Sequence, residues 1–420
     1  MRFDNETQTI LNFPGVRFDV HDFGGKNSVD YIIRNQGKYQ PDIMHTQTSS
    51  GLFSRIKQTL TKIKRKMVFF DQFHSLFTYF EQHNYSIGKT LFSAPYDWRL
   101  APLFIDNFWP NFKHLIETAY EQSNGTKITL IGHSMGCLMI QQFLSAKDQM
   151  SMKSSNNLNR KLISSIKTEK DMVDDNWKNK YIEKVIFIAP NFGGSLIIDE
   201  GLIQRFSPLV PFLRNSYIAG MATSVPGIHS NTLNMEIFND LPIVRDKNGI
   251  NYTAKDMFDV IVNNSGIRKQ DIPILDRSFD IMRNAPLDIG QNIPLAIIYN
   301  SRIPTLSFLD YKNGFDKSPV KYFDLGGDGS LLAKGTRYAC DSWSSENRTV
   351  LCIDLNKSDK RSCDHTKMTS NRKVIELLYN LTKNENNKWW KTKGKVDIAL
   401  DENYNSLQPN EKSNDLSREL

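Results

Sequence analysis

Residues 127–144 constrain the fold more tightly than any other stretch of the chain. Lys127-Ile128-Thr129-Leu130-Ile131 is a short β-branched run that reads as a buried strand, and helical spacing takes over at once through Leu138, Met139, Gln142, Phe143 and Leu144. Between them lies Gly132-His133-Ser134-Met135-Gly136, a G-x-S-x-G sequence. A chain that turns from strand to helix in so few residues has room for glycine but not for side chains where the two backbones meet, and the turn lifts the middle serine above the sheet. Ser134 is thus the candidate nucleophile, with Gly132 and Gly136 as structural residues beside it.

Further near-continuous apolar strands are expected at Lys184–Ile188, Pro294–Tyr299 and Thr349–Ile353, separated by helical segments. Such strands indicate an α/β architecture: a mainly parallel sheet with helices on both faces. The expected organisation is a first part of the core over 1–144 with a basic insertion at 37–70, and a polar insertion at 145–176. A core strand and loop follow at 177–195, an inserted cap domain at 196–290, and a second part of the core at 291–382. The charged stretch 383–420 reads as a disordered tail. With 39% hydrophobic residues the chain is globular in composition, and its 4 cysteines are too few for a disulfide-built scaffold.

Against 46 Asp+Glu stand 53 Lys+Arg, a net charge of +7. Six of the cations, Arg55, Lys57, Lys62, Lys64, Arg65 and Lys66, sit close together with Ile56, Leu60, Ile63, Met67 and Phe70 at helical spacing. This describes a basic amphipathic helix suited to an anionic lipid surface, or a solvated surface helix packing its apolar stripe on the core. No helix-turn-helix, zinc-ligand or RNP-type pattern points to nucleic acid. No apolar run of about 18 residues reads as a membrane span, and the residues after Met1 lack the apolar stretch of a secretory signal.

A serine hydroxyl needs an imidazole base, itself oriented by a carboxylate. In a strand-turn-helix setting of this kind the order along the chain is serine, acid, histidine. Asp328 lies in the glycine-rich loop Gly326-Gly327-Asp328-Gly329-Ser330 after an alternating strand, and His365 is the only histidine after His229. These two complete the candidate set. Asp324 falls inside the strand, and Asp364 adjoins His365, where most local conformations point it away from the ring. His133 reads as a packing and hydrogen-bonding residue.

Taken together, Pro14-Gly15-Val16, Phe23-Gly24, Ala94-Pro95-Tyr96-Asp97-Trp98-Arg99-Leu100, Ile131–Cys137, Ala189-Pro190 with Gly193-Gly194-Ser195, and the Asp328 and His365 loops resemble the lecithin:cholesterol acyltransferase family. That family includes lysosomal phospholipase A2 and the phospholipid:diacylglycerol acyltransferases. The resemblance implies an α/β-hydrolase with a cap that acts on glycerophospholipid esters through an acyl-enzyme. Carried over, Ser134 is the nucleophile, Asp328 the acid and His365 the base. The backbone N–H of Met135 is an oxyanion donor, and Asp97 and Arg99 form a structural pair below the site. The reaction needs no cofactor and no metal. The implied partners are a phospholipid membrane or lipid-particle surface and a lipid alcohol or sterol acceptor.

Three departures stand out. The family's Gly-Ala-Pro-Trp-Gly-Gly segment is here Ala189-Pro190-Asn191-Phe192-Gly193-Gly194, without the tryptophan and one residue longer. A family disulfide is broken by Ile297, so that Cys340 pairs with Cys352 or Cys363 or stays free. The family's first oxyanion donor comes from an earlier Pro-Gly loop, for which Pro14-Gly15 is the substitute at hand; the chain thus reads as missing an upstream segment. The expected activity is lipid-ester acyl transfer or phospholipase A, the alternative a non-catalytic lipid-surface binding protein or an inactive fragment of such an enzyme lacking the first oxyanion loop. Eight sequons, at Asn5, Asn84, Asn124, Asn251, Asn263, Asn347, Asn356 and Asn380, favour a glycoprotein of the secretory pathway, extracellular or lysosomal.

Overall fold

Uninterrupted apolar strands are buried on both faces, and this accounts for their composition. The computed structural model describes residues 11–13, 16–18, 73–96, 98, 102, 108–145, 173–204, 225–267, 269, 272–355, 363–383 and 388–399. The basic segment Arg55–Lys66, most of the insertion at 145–176, Pro14-Gly15, Asp97 and Arg99 lie outside the described residues.

In chain order come strands β1 (Leu11–Phe13) and β2 (Val16–Phe18), helices α1 (His74–Gln82) and α2 (Phe108–Gln122), strand β3 (Ile128–His133), and helices α3 (Met135–Leu144) and α4 (Asp175–Tyr181). Strand β4 (Ile182–Ile188) follows, then helices α5 (Leu196–Gln204) and α6 (Pro226–His229), strands β5 (Val244–Arg245) and β6 (Asn251–Tyr252), and helices α7 (Met257–Asn264) and α8 (Ile272–Arg283). The chain continues through β7 (Leu295–Tyr299), β8 (Ile303–Asp310), β9 (Val320–Gly327), α9 (Ala333–Thr336), α10 (Tyr338–Ser342), β10 (Thr349–Asp354), α11 (Arg372–Thr382) and β11 (Gly394–Ala399).

The principal sheet has the order β11-β10-β7-β4-β3, with every neighbouring pair parallel. Alternate residues of its strands serve two separate cores. Val185, Phe187, Leu295, Ile297, Val350 and Cys352 pack with Trp109 and Phe112 of α2 and with Leu138 and Phe143 of α3. The intervening Ile186, Ile188, Ala296, Ile298, Leu351 and Ile353 pack on the other face with Leu76 and Phe80 of α1 and Leu377 and Leu378 of α11. Helices therefore cover both faces of a parallel sheet, as in an α/β-hydrolase. Cys340 of α10 is bonded to Cys352 of β10, which resolves the open cysteine question, while Cys137 and Cys363 are buried outside that disulfide.

A second sheet, β6-β5-β8-β9, carries its own core. Leu202, Phe238, Val244, Met257, Ile261, Phe279, Leu306 and Leu309 meet there. Strand β8 runs parallel to β5, pairing Leu309 with Val244, and antiparallel to β9. The expected boundary between cap and second core part, at 290/291, therefore cuts through one packed unit: β8 lies beyond it in sequence, yet its Leu306 and Leu309 share the core built by residues 196–290.

The stretch after 383 needs correction too. Its composition predicts a disordered tail, but Gly394–Ala399 forms β11 and pairs in parallel with β10, Thr349 opposite Gly394 and Ile353 opposite Ile398. The physical reason is alternation: Val396 and Ile398 turn inward onto the α11 side, while exposed Lys395 reaches Asp341 at 3.1 Å. Half the residues of an edge strand are polar, so mean composition hides it. Trp390 anchors the approach, donating from Nε1 to the Leu381 carbonyl at 3.1 Å and lying under the Lys184 ammonium at 4.8 Å.

Candidate active site

The turn at the end of β3 is strained. Ser134 has φ 55° and ψ −123°, a backbone conformation that side-chain-bearing residues rarely adopt. It is held because the Ser134 N–H donates to the Ile188 carbonyl of β4 at 3.0 Å and the Ser134 carbonyl accepts from the Cys137 N–H at 3.0 Å. A Cβ on Gly132 would fall 2.9 Å from the Cys137 nitrogen, so the doubling back of α3 over β3 excludes any side chain there. Gly136 is different. Its nearest obstacle is the Tyr96 hydroxyl at 4.0 Å, so space does not demand glycine at that position.

The three sequence-predicted polar residues come together from distant parts of the chain. His365 Nε2 is 2.9 Å from Ser134 Oγ, and His365 Nδ1 is 2.7 Å from Asp328 Oδ2. The carboxylate is essentially buried, its side chain 1% exposed against 12% for the imidazole. Its other oxygen, Oδ1, accepts from the N–H groups of Ser330 and Leu331 at 3.0 and 2.7 Å, which locks the rotamer. The His365 N–H also donates to the Asp328 carbonyl at 2.9 Å, so the acid and base loops are joined by backbone as well as by side chains.

Electrostatics follow from this packing. Burial by itself lowers the His365 pKa, but the charge of Asp328 and its hydrogen bond to Nδ1, helped by the charge of Asp364, more than offset it and leave the pKa above its ordinary value. His133 behaves oppositely: burial, reinforced by His365, pushes it down to about 3, so it stays neutral. Its Nε2 sits 2.9 Å from the His365 carbonyl and, as the donor, steadies the loop that carries the base. Of the rival carboxylates, Asp364 spends Oδ1 on Thr366 and the Lys367 N–H and pairs with the Lys367 ammonium. Asp324 is exposed within β9.

A second set of hydrogen bonds closes the site into a ring, and sequence reading missed its members. Ser195 Oγ donates to the Ser330 carbonyl of the acid loop at 2.6 Å. The Ser195 N–H donates to the Asn231 carbonyl at 3.0 Å. The side chain of Asn231 accepts from Asn191 Nδ2 and donates to the Gly227 carbonyl and, at 3.5 Å, to Met135 Sδ. The Asn191 N–H then returns to the Ser134 carbonyl at 3.4 Å. Asn191 occupies the departure noted in the Ala189–Gly194 segment, the one signal available beforehand; Asn231 sits in no recognisable motif.

Met135 is the first residue of α3, where backbone N–H groups have no intrahelical acceptor. The structure thus presents a serine on a strained turn, a hydrogen-bonded imidazole and a buried carboxylate, an arrangement able to deprotonate the hydroxyl and return its proton to a leaving group.

Comparison with known proteins places the chain in a family. The family model for lecithin:cholesterol acyltransferase matches residues 3–230, more than half of the chain. A mouse phosphatidylcholine-sterol acyltransferase is 22% identical over 381 residues, covering 90% of this chain and 70% of the relative. A human lysosomal phospholipase A and acyltransferase is 23% identical over 317 residues, covering 73% and 65%. Among solved structures, the Tle4–Tli4 complex overlaps 68% of this chain and 66% of its own at a TM-score of 0.37 and 10% identity, too distant to bear on function. The match spans the strained serine turn and the loop after β4 that faces it, and the chain belongs to the lecithin:cholesterol acyltransferase family.

Proposed function

We propose that this protein is a serine-dependent lipid acyltransferase or phospholipase A acting on glycerophospholipids. One observation carries the reading: Ser134, His365 and Asp328 form a continuous hydrogen-bonded line, with the nucleophile on a strained strand-to-helix turn. Ser134 Oγ attacks the ester carbonyl as His365 Nε2 takes its proton, and the backbone N–H of Met135 supports the developing oxyanion. The bond to the glycerol oxygen breaks, that oxygen takes the proton from His365, and a lysophospholipid leaves. In the second half a lipid alcohol, a sterol or water gives its proton to His365 and attacks the acyl-enzyme, and Ser134 recovers its hydrogen. A positioned base contributes about 10²–10⁴-fold to such steps.

Phosphatidylcholine as donor is supported by the names of the relatives, a phosphatidylcholine-sterol acyltransferase and a lysosomal phospholipase A and acyltransferase. Secretory-pathway residence, lysosomal or extracellular, is supported by the Cys340–Cys352 disulfide and by the sequons. Asn84, Asn124, Asn251, Asn263, Asn347 and Asn380 are all exposed.

The test is to incubate the protein with acyl-labelled phosphatidylcholine vesicles, with and without a sterol, alongside fluorophosphonate labelling. Labelled fatty acid or ester, together with stoichiometric labelling lost in Ser134→Ala, is the expected result. Vesicle binding with neither labelling nor turnover would establish the non-catalytic lipid-binding alternative instead.

A further inference from the structure

Large apolar side chains left in water are few among the described residues, and half of them lie on one strand. Val320, Tyr322, Phe323 and Leu325 of β9 are 37%, 49%, 56% and 73% exposed. Monomeric proteins scatter such residues singly; a cluster marks a contact surface. Strand β9 ends the order of its sheet among the described residues. Its apolar side chains point both ways. Tyr322 stands on the face turned away from the second core, its ring 5.7 Å from Phe308 in an edge-on pair, with the Arg245 guanidinium 5.4 Å above Phe308. Phe323 pairs with core residue Leu306 and Leu325 with Pro304, so these two lie on the opposite face, beyond the cover of that core.

We propose that the β8–β9 ribbon edge is the surface by which this protein docks on a phospholipid bilayer. Three features select that occupant. A second protein chain packing on one face of β9, or pairing with its edge, leaves the other face's aromatic or aliphatic groups in water; immersion in a lipid interface covers both. The charges at this end of the sheet come as pairs of both signs, which suits a zwitterionic headgroup: Arg245, 45% exposed at its side chain, lies 3.9 Å from Asp310, and Lys317, 65% exposed, lies 3.2 Å from Asp316. An aromatic row bordered by cations is the composition favoured at the headgroup level. Asp324, the one acid within β9, keeps the ribbon at the interface and out of the hydrocarbon. Finally, Leu325 is three residues from Asp328, about 10 Å along a strand, within the length of a lipid lifted from the surface toward Ser134.

This inference rests on the substrate being a phospholipid, and the experiment separates the two claims. The full chain is floated with phosphatidylcholine vesicles, with and without a minor fraction of phosphatidylserine, and compared with Tyr322→Ser/Phe323→Ser/Leu325→Ser. The triple variant is expected to partition at least about tenfold more weakly, since burying one such side chain is worth about a tenfold change, while fluorophosphonate labelling in vesicle-free buffer persists. Flotation equal to wild type overturns the proposal. So does a dimeric wild type that the triple substitution converts to monomer with flotation unchanged, which assigns the edge to a second copy. Absence of labelling in wild type, with flotation still lost in the variant, refutes the catalytic reading alone. Should the triple variant misfold, Leu325→Trp serves: its added emission is expected to shift blue on vesicles, and an unshifted spectrum overturns the surface.

Discussion

Replacing Asp328 by asparagine removes one charge and leaves the shape. The carbonyl oxygen of the new carboxamide can still accept from the Ser330 and Leu331 N–H groups, as Oδ1 does now at 3.0 and 2.7 Å. The amide nitrogen then takes the place of Oδ2, 2.7 Å from His365 Nδ1. Two donors cannot face each other, so Nδ1 becomes the acceptor and the ring proton moves to Nε2. That nitrogen lies 2.9 Å from Ser134 Oγ and would now present a hydrogen where it must accept one. The expected loss is about 10³–10⁴-fold in fluorophosphonate labelling and in ester turnover, or about 4–5.5 kcal/mol of transition-state stabilisation.

The pH dependence carries a second readout. His365 works as a base only when neutral, and its folded pKa lies above the ordinary 6.5 because Asp328 outweighs burial. Wild-type labelling should therefore fall as pH drops through a value above 6.5. Asp328→Asn removes the raising charge and keeps the burial, so the acid limb of its residual activity moves to lower pH. The charge of Asp364 remains, and His133 stays neutral. A loss smaller than about tenfold, or an acid limb that does not move in a variant melting like wild type, would refute this account.

Gly132→Ala forces a methyl to within 2.9 Å of the Cys137 backbone and should cost about 2–4 kcal/mol in urea unfolding, whereas Gly136→Ala, with 4.0 Å of clearance, should cost less than about 1 kcal/mol. Ser195→Ala deletes the 2.6 Å bond to the acid loop and should slow labelling about tenfold without changing the KM for a soluble ester, with Ser195→Thr restoring most of the rate. A chain stopped after Lys383 loses Trp390 and β11 and uncovers one edge of β10, so it should be recovered mainly as aggregate in size-exclusion chromatography.

The central strands of the principal sheet were legible because they are buried on both faces; Val185-Ile186-Phe187-Ile188 has no polar alternation to obscure it. The site was legible because its chemistry demands a fixed order of residue types, and His365 had no competitor downstream of His229. Strand β11 escaped notice because an edge strand shows only alternate apolar positions, here Val396 and Ile398, in a charged context. The membership of β8 in the second sheet was invisible for another reason. Its partner β5 lies far upstream, Val244 opposite Leu309, and nothing local encodes such a pairing. Asn231 belongs to the same class, since a side chain that closes a ring between distant loops leaves no period or motif.

The acid does not belong to the sheet that carries the nucleophile. After β7 the chain leaves the principal sheet, runs out and back through the second one as β8 and β9, and sets down Asp328 immediately past Gly327. Ser134, at the end of β3, stands on the first sheet; Asp328 hangs from the second. The contact between base and acid therefore joins the two sheets, through the 2.7 Å side-chain bond and the 2.9 Å bond from the His365 N–H to the Asp328 carbonyl. An antibody or small molecule that pulls β9 away from the principal sheet would act as a brake on the chemistry without touching Ser134. By the same lever, thermal loosening of the second sheet should extinguish activity before the nucleophile's own sheet begins to melt.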